Sequence, residues 1–157
     1  MKTAWRQDRA ERFRILHRDR FTCRYCAAMP GSEFLEVDHL VPRSRGGSDH
    51  AENFVTACKT CNGRKSDSIV FPHDLIERQE DDGWFVHKTF GEWRICFSAQ
   101  CIGIDNDFGY GFIEPDCWPD KYWWAGLFEK AWPDVRVHDL HAAAEYFRRL
   151  VNVRPLR

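Results

Sequence analysis

The chain has 157 residues, 43% apolar, 30% charged and 15% aromatic; this excludes a disordered or collagen-like protein and allows one domain, or a small unit with an appended second one. The formal net charge of -1 hides a division, because residues 1–68 carry 13 Lys and Arg against 9 Asp and Glu, whereas residues 69–157 carry 10 against 15. A polyanion would prefer the first half.

No run approaches the roughly 18 apolar residues of a membrane span, and the charged start MKTAWRQDRAERFR has no apolar signal segment. The expectation is a cytoplasmic protein without membrane contact. Aromatic residues divide as the charge does, 6 before residue 69 and 17 after it, so the second half can build an ordinary apolar core and the first needs another source of stability.

Residues 3–18 suit a helix with Thr3 as N-cap and Trp5, Phe13 and Leu16 for packing; its arginines form either a solvated face or phosphate contacts. FTCRYC reads as a tight knuckle, FLEVDHLV as a strand, and Pro42 with Gly46 and Gly47 as a loop. NFVTA is a second extended piece, and KTCNGRKSD a short polar helix. Beyond Ser68, a helix is expected over 73–80, strands over WFVHKTF and EWRICFSA with Trp93, Ile95 and Phe97 on one face, and short strands over 101–114. Helices are expected at 122–131 and 139–151, the latter with Leu140, Ala143, Ala144, Phe147 and Leu150 as an apolar stripe.

Seven cysteines in a reducing compartment do not read as a disulfide framework. Four form two C-x-x-C pairs, Cys23 with Cys26 and Cys58 with Cys61, and two such turns make the closed four-sulfur site of a structural zinc. Thirty-one residues separate Cys26 from Cys58, longer than a simple zinc ribbon, so something substantial is inserted in the clamp. Cys96, Cys101 and Cys117 are most simply apolar residues.

The insert and the residues after it carry Asp38, His39, Pro42, Gly46, Gly47, Asn53, Cys58, Cys61, Asn62 and Lys65 in order. Over roughly residues 12–67 this resembles the HNH nuclease family, whose ββα-metal motif joins an Asp-His dipeptide on a strand, a loop Asn and a metal ligand on the following helix. The resemblance implies an α+β protein: a ββα-metal core stapled by a four-cysteine zinc site at residues 1–68, with an aromatic-rich α+β extension at 69–157. It also implies an endonuclease that hydrolyses DNA phosphodiester bonds, with Asn53 bracing the loop and helping to orient His39.

The residue chemistry agrees. Asp38 and Asn62 offer hard oxygen ligands suited to Mg²⁺ or Mn²⁺, and His39 is of the type that takes a proton from an attacking water. Asn62 stands where the third motif residue is often His, which shifts preference away from Zn²⁺ or Ni²⁺. Arg43, Arg45, Lys59, Arg64 and Lys65 are candidate phosphate contacts with DNA, double-stranded by expectation. His50 reads as solvated, and the pair His138 and His141 as cap and packing residues.

Adjacent strand residues point to opposite faces, so Asp38 and His39 can serve one phosphate only if the strand bends or ends near Leu40 to Pro42. Two rival readings remain: a non-catalytic, zinc-stapled nucleic-acid-binding module, and a nuclease whose acidic second half meets a protein partner or a second copy.

Overall fold

The computed structural model describes residues 9–106, Lys130 and residues 136–152. The expected helix start at Thr3, nearly all of the helix expected over 122–131, Cys117 and the Gly-rich stretch beyond Asn106 lie outside these residues.

Helix α1 (Arg9–Arg18) buries Ile15 against Val37 and Phe54, with Leu16 packed alongside. Its C-terminal end is fixed by Asp19, whose carboxylate accepts from Arg18 Nε at 2.8 Å, Arg24 Nη1 at 3.1 Å and the backbone N–H of Thr56 at 2.8 Å. Burial alone would raise the Asp19 carboxyl, but the bonds from Arg18 and Thr56 outweigh it and hold the group below its ordinary range. Arg18 also donates to the carbonyls of Ala51 and Phe54, so this arginine anchors the loop and is no part of a free cationic face.

Strands β1 (Leu35–His39) and β2 (Phe54–Cys58) pair antiparallel, with Leu35 opposite Cys58 and His39 opposite Phe54. Helix α2 (Lys59–Lys65) follows at once, completing a ββα unit. Both motif glycines between the strands have a steric reason. Gly46 caps a short 3-10 turn at φ 83°, a left-handed conformation that favours glycine. At Gly47 a Cβ would fall 1.7 Å from the Val41 carbonyl oxygen, so only glycine fits.

The second half forms an antiparallel sheet in the order β3 (Arg78–Gln79), β4 (Phe85–Phe90), β5 (Trp93–Phe97), β6 (Ile102–Asn106). Helix α3 (Val137–Leu150) packs on it with the whole expected stripe buried, and Trp93, Ile95 and Phe97 are buried as well. The helix expected over 73–80 does not form. Only a 3-10 turn spans His73–Leu75; Ile76 is already extended, Glu77 N–H bonds to Val86 O at 2.8 Å, and Arg78 and Gln79 pair with β4. Sheet pairing overrides the local helical preference of this segment.

The core runs across residue 68. Leu40, Val41 and Val55 of the ββα unit share it with Ile69, Phe71, Trp93, Ile95 and the α3 stripe. Backbone bonds reinforce the junction: Ser48 N to Leu150 O at 3.0 Å and Asn152 N to Gly46 O at 2.7 Å, around a bridge between Gly47 and Val151. The loop carrying the motif is therefore braced from outside the motif. Among the described residues, no helix is long and apolar enough to cross a membrane.

Candidate functional site

The sulfurs of Cys23, Cys26, Cys58 and Cys61 all lie within 4.8 Å of one another, and Cys26 Sγ is 3.7 Å from Cys58 Sγ. Zn–S bonds of about 2.3 Å imply tetrahedral edges of about 3.8 Å, so the spacing fits a four-sulfur zinc site and is far too long for disulfides. Cys58 is also the N-cap of α2, its sulfur accepting the Cys61 N–H at 3.3 Å. Burial and then the neighbouring sulfurs push the Cys61 thiol up. By contrast Cys96 is buried in the second sheet, and burial raises its thiol to about 11, as for an inert apolar residue.

Strand alternation places Glu36 and Asp38 on one face of β1, and the helical repeat places Asn62 and Lys65 on the face of α2 that meets it. The two pairs interlock. Asn62 Nδ2 donates to Glu36 Oε2 at 2.8 Å, while Lys65 Nζ lies 3.1 Å from Asp38 Oδ2 and donates to the backbone oxygen of His39 at 2.7 Å. Because the Asn62 amide nitrogen faces Glu36, its oxygen is the atom left for a ligand role. Burial pushes the Asp38 carboxyl up from its ordinary range against the opposing pull of Lys65. The Tyr25 hydroxyl, bonded to Val70 O at 3.0 Å, lies 3.5 Å from the same carboxylate.

His39 ends β1 with its ring on the opposite face. The ring packs edge-on against Phe54, centroids 4.8 Å apart, and Nε2 is 2.9 Å from Asp49 Oδ1. Arg43 grips that carboxylate, through Nε to Oδ1 at 3.0 Å and Nη2 to Oδ2, and its hydrogen bonds hold the Asp49 carboxyl below the ordinary range. Asn53 is fully buried inside the loop: its Oδ1 accepts Val41 N–H at 2.9 Å and its Nδ2 donates to the carbonyls of Val41 and Ser48 at 3.0 and 2.8 Å.

The basic residues separate into two groups. Lys59 and Arg64 are exposed on α2, with no ion pair among the described residues. Arg43 is committed to Asp49, and Arg45 donates to the carbonyls of Asp67 at 2.5 Å and Gln100 at 3.2 Å. Lys65 departs from its expected place on a phosphate-binding surface, because only 3% of its side chain is exposed and its ammonium serves Asp38 and His39. His50 is exposed, 3.7 Å from Glu52. His138 binds its neighbour Asp139 at 3.0 Å, on the surface.

Sequence reasoning passed over Glu36 and Asp49. Glu36 carried a signal, standing two residues before Asp38 in a strand and hence on its face. Asp49 lies in a loop without periodicity and carried none.

Residues 23–68 match the model of the HNH endonuclease family. No curated protein and no solved structure gives a significant match. The matched segment spans both cysteine turns, the β1–β2 pair and α2, so a family pattern and an independent structural arrangement coincide. Residues 23–68 are thus similar to an HNH endonuclease domain, and the four clustered cysteines fit a zinc-stapled variant of it.

Proposed function

We propose that the protein is a metal-dependent endonuclease that hydrolyses phosphodiester bonds in double-stranded DNA. The observation that carries this reading is the oxygen face of β1 against α2, where Asn62 of α2 bonds to Glu36 and Lys65 of α2 pairs with Asp38. Two carboxylates and an amide oxygen are a hard donor set, which fits Mg²⁺ or Mn²⁺ better than Zn²⁺. Held by Asp38 and Asn62, such an ion would polarise the scissile phosphate and stabilise the leaving 3′ oxygen.

The chain's own residues do the rest. His39 takes a proton from the attacking water, whose oxygen bonds to phosphorus as the bond to the 3′ oxygen breaks; solvent protonates the leaving oxygen and receives the proton from the imidazolium. Asn53 keeps the loop that begins at Leu40 in one shape by satisfying three backbone groups. The cysteine site, filled by zinc, fixes the start of α2 and hence the distance of Asn62 from β1. Lys59 and Arg64 attract phosphates without reading sequence. Helix α3 and the residues just after it act as a buttress for the loop.

One observation favours the non-catalytic rival, a zinc-stapled DNA-binding module: the Lys65 ammonium already neutralises Asp38. Incubation of the purified, zinc-loaded protein with plasmid separates the two. Cleavage that requires added Mg²⁺ or Mn²⁺ supports the nuclease; binding without cleavage under every metal supports the module.

A further inference from the structure

We infer that Glu36 is a positioning residue of the proposed metal site, turning the Asn62 amide so that its oxygen, and not its nitrogen, is the atom offered to the ion. The inference rests on the nuclease reading above, in which Asp38 and Asn62 hold the cation, and it gives Glu36 a task separate from theirs. An asparagine ends in one oxygen and one nitrogen of similar size on a soft, roughly two-fold torsion, so nothing in the side chain itself decides which of them faces a neighbour. At a cation the choice matters. The amide oxygen is a hard ligand, whereas the NH₂ group only donates and would turn its hydrogens toward the ion. A group outside the asparagine has to select the orientation.

Glu36 selects it. Asn62 Nδ2 donates to Glu36 Oε2 at 2.8 Å, and a half-turn of the amide would set oxygen against oxygen at that distance. The pairing follows from how the two elements meet. Glu36 and Asp38 stand two residues apart on β1, and Asn62 and Lys65 three residues apart on α2, an advance of about 6.6 Å along the strand against about 4.5 Å along the helix. Each polar side chain of α2 therefore has its own carboxylate: Lys65 goes to Asp38 at 3.1 Å, and Asn62 goes to Glu36. Across the hairpin, the residue paired with Glu36 is Ala57, whose methyl group brings no competing donor. The cysteine turn and Glu36 also divide the work on Asn62. Cys58 caps α2 and accepts the N–H of Cys61, the residue next to Asn62, so the turn fixes the backbone while Glu36 fixes the amide.

The test is Mn²⁺ binding to the zinc-loaded chain without DNA, read from the electron paramagnetic resonance signal of the unbound ion. Wild type, Glu36→Ala, Asn62→Ala, the double variant and Glu36→Gln are compared, each checked for zinc content and by circular dichroism. Glu36→Ala should weaken Mn²⁺ binding by about 10–100-fold, the scale seen when the outer partner of a metal ligand is removed. In the Asn62→Ala background the same change should cost nothing further, because Glu36 acts through Asn62. Glu36→Gln keeps an acceptor oxygen and loses the charge, so it should recover most of the affinity lost in Glu36→Ala. An equal loss in both backgrounds, or a Glu36→Gln protein as weak as Glu36→Ala, overturns the inference, since Glu36 would then act on the ion through its own oxygen or its charge. An unchanged affinity in Glu36→Ala beside a weakened Asn62→Ala overturns it too. Should the wild type bind no Mn²⁺, or Asn62→Ala bind it as the wild type does, the proposed metal site itself fails and takes the inference with it, an outcome distinct from the others.

Discussion

Lys65 Nζ lies 3.1 Å from Asp38 Oδ2 with 3% and 11% of the two side chains exposed, a nearly dry ion pair at the centre of the oxygen face. The same ammonium binds the His39 carbonyl at 2.7 Å, so one side chain from α2 holds both members of the Asp-His dipeptide. The dipeptide keeps the opposed faces of adjacent strand residues. The Asp38 carboxylate is held toward α2, the His39 backbone is pinned at the strand end, and its ring turns the other way, to Phe54 and Asp49.

Removing one partner of such a pair leaves an uncompensated buried charge. Lys65→Met should therefore destabilise the protein by about 3–5 kcal/mol in urea unfolding. Combining it with Asp38→Asn should recover most of that loss, because no charge is left unpaired. A stability unchanged in Lys65→Met would mean that the pair is solvated.

Zinc should be found at about one per chain, held by Cys23, Cys26, Cys58 and Cys61. Structural sites of this kind couple binding to folding with apparent energies of about 10–16 kcal/mol in small peptides. Cys61→Ser or a strong chelator should unfold the ββα unit, and the shared core at Leu40, Val41 and Val55 should loosen with it. Elemental analysis and circular dichroism on the same sample decide this; folded protein free of zinc contradicts it.

The two asparagines should fail differently. Asn62→Ala should lose cleavage through weaker metal binding and recover in part with excess Mn²⁺, while Asn62→His should shift preference toward Ni²⁺, Co²⁺ or Zn²⁺. Asn53→Ala strands the Val41 N–H and two carbonyls inside the loop, costing about 1–3 kcal/mol of stability, and its lost activity should not return at any metal concentration. Metal titrations of cleavage rate separate the cases.

What could be read in the chain was what depends on short spacing: the C-x-x-C turns, the Asp-His dipeptide, the Gly46-Gly47 turn and the α3 stripe. Partners set by the register of one element against another were not legible. The pairing of Glu36 with Asn62 and of Asp38 with Lys65 needs the packing angle of α2 on β1, and a lysine beside a nucleic-acid motif looks like a phosphate contact until that angle is known. Asp49 sits in a loop where no periodicity marks it. Residues 73–80 look helical alone, and only the neighbouring strand β4 shows why they extend. The change of charge and aromatic content near residue 68 suggested two units, but the apolar residues on its two sides fill one core.

His87 makes stability sensitive to mild acid. It is buried, with Nδ1 2.6 Å from Leu75 O and Nε2 2.9 Å from the Tyr146 hydroxyl, and burial lowers its pKa from 6.5. The unfolded chain therefore binds this proton more readily than the folded one. Its contribution is complete above about pH 6.5 and declines as pH falls below that value, by at most about 1.4 kcal/mol per pH unit. Unfolding free energies between pH 7.5 and 5.5, with zinc retention verified, should show this slope in the wild type and a flatter one in His87→Phe.

The most direct test of the central claim is single-turnover cleavage of plasmid by wild type and His39→Ala, in Mg²⁺ and in Mn²⁺, with DNA binding and zinc content measured on the same preparations. The account predicts metal-dependent cleavage by the wild type and a rate lower by about 10²–10⁴-fold in His39→Ala, with binding and zinc unchanged. Binding without cleavage by the wild type in either metal, or equal cleavage by the two proteins, contradicts it.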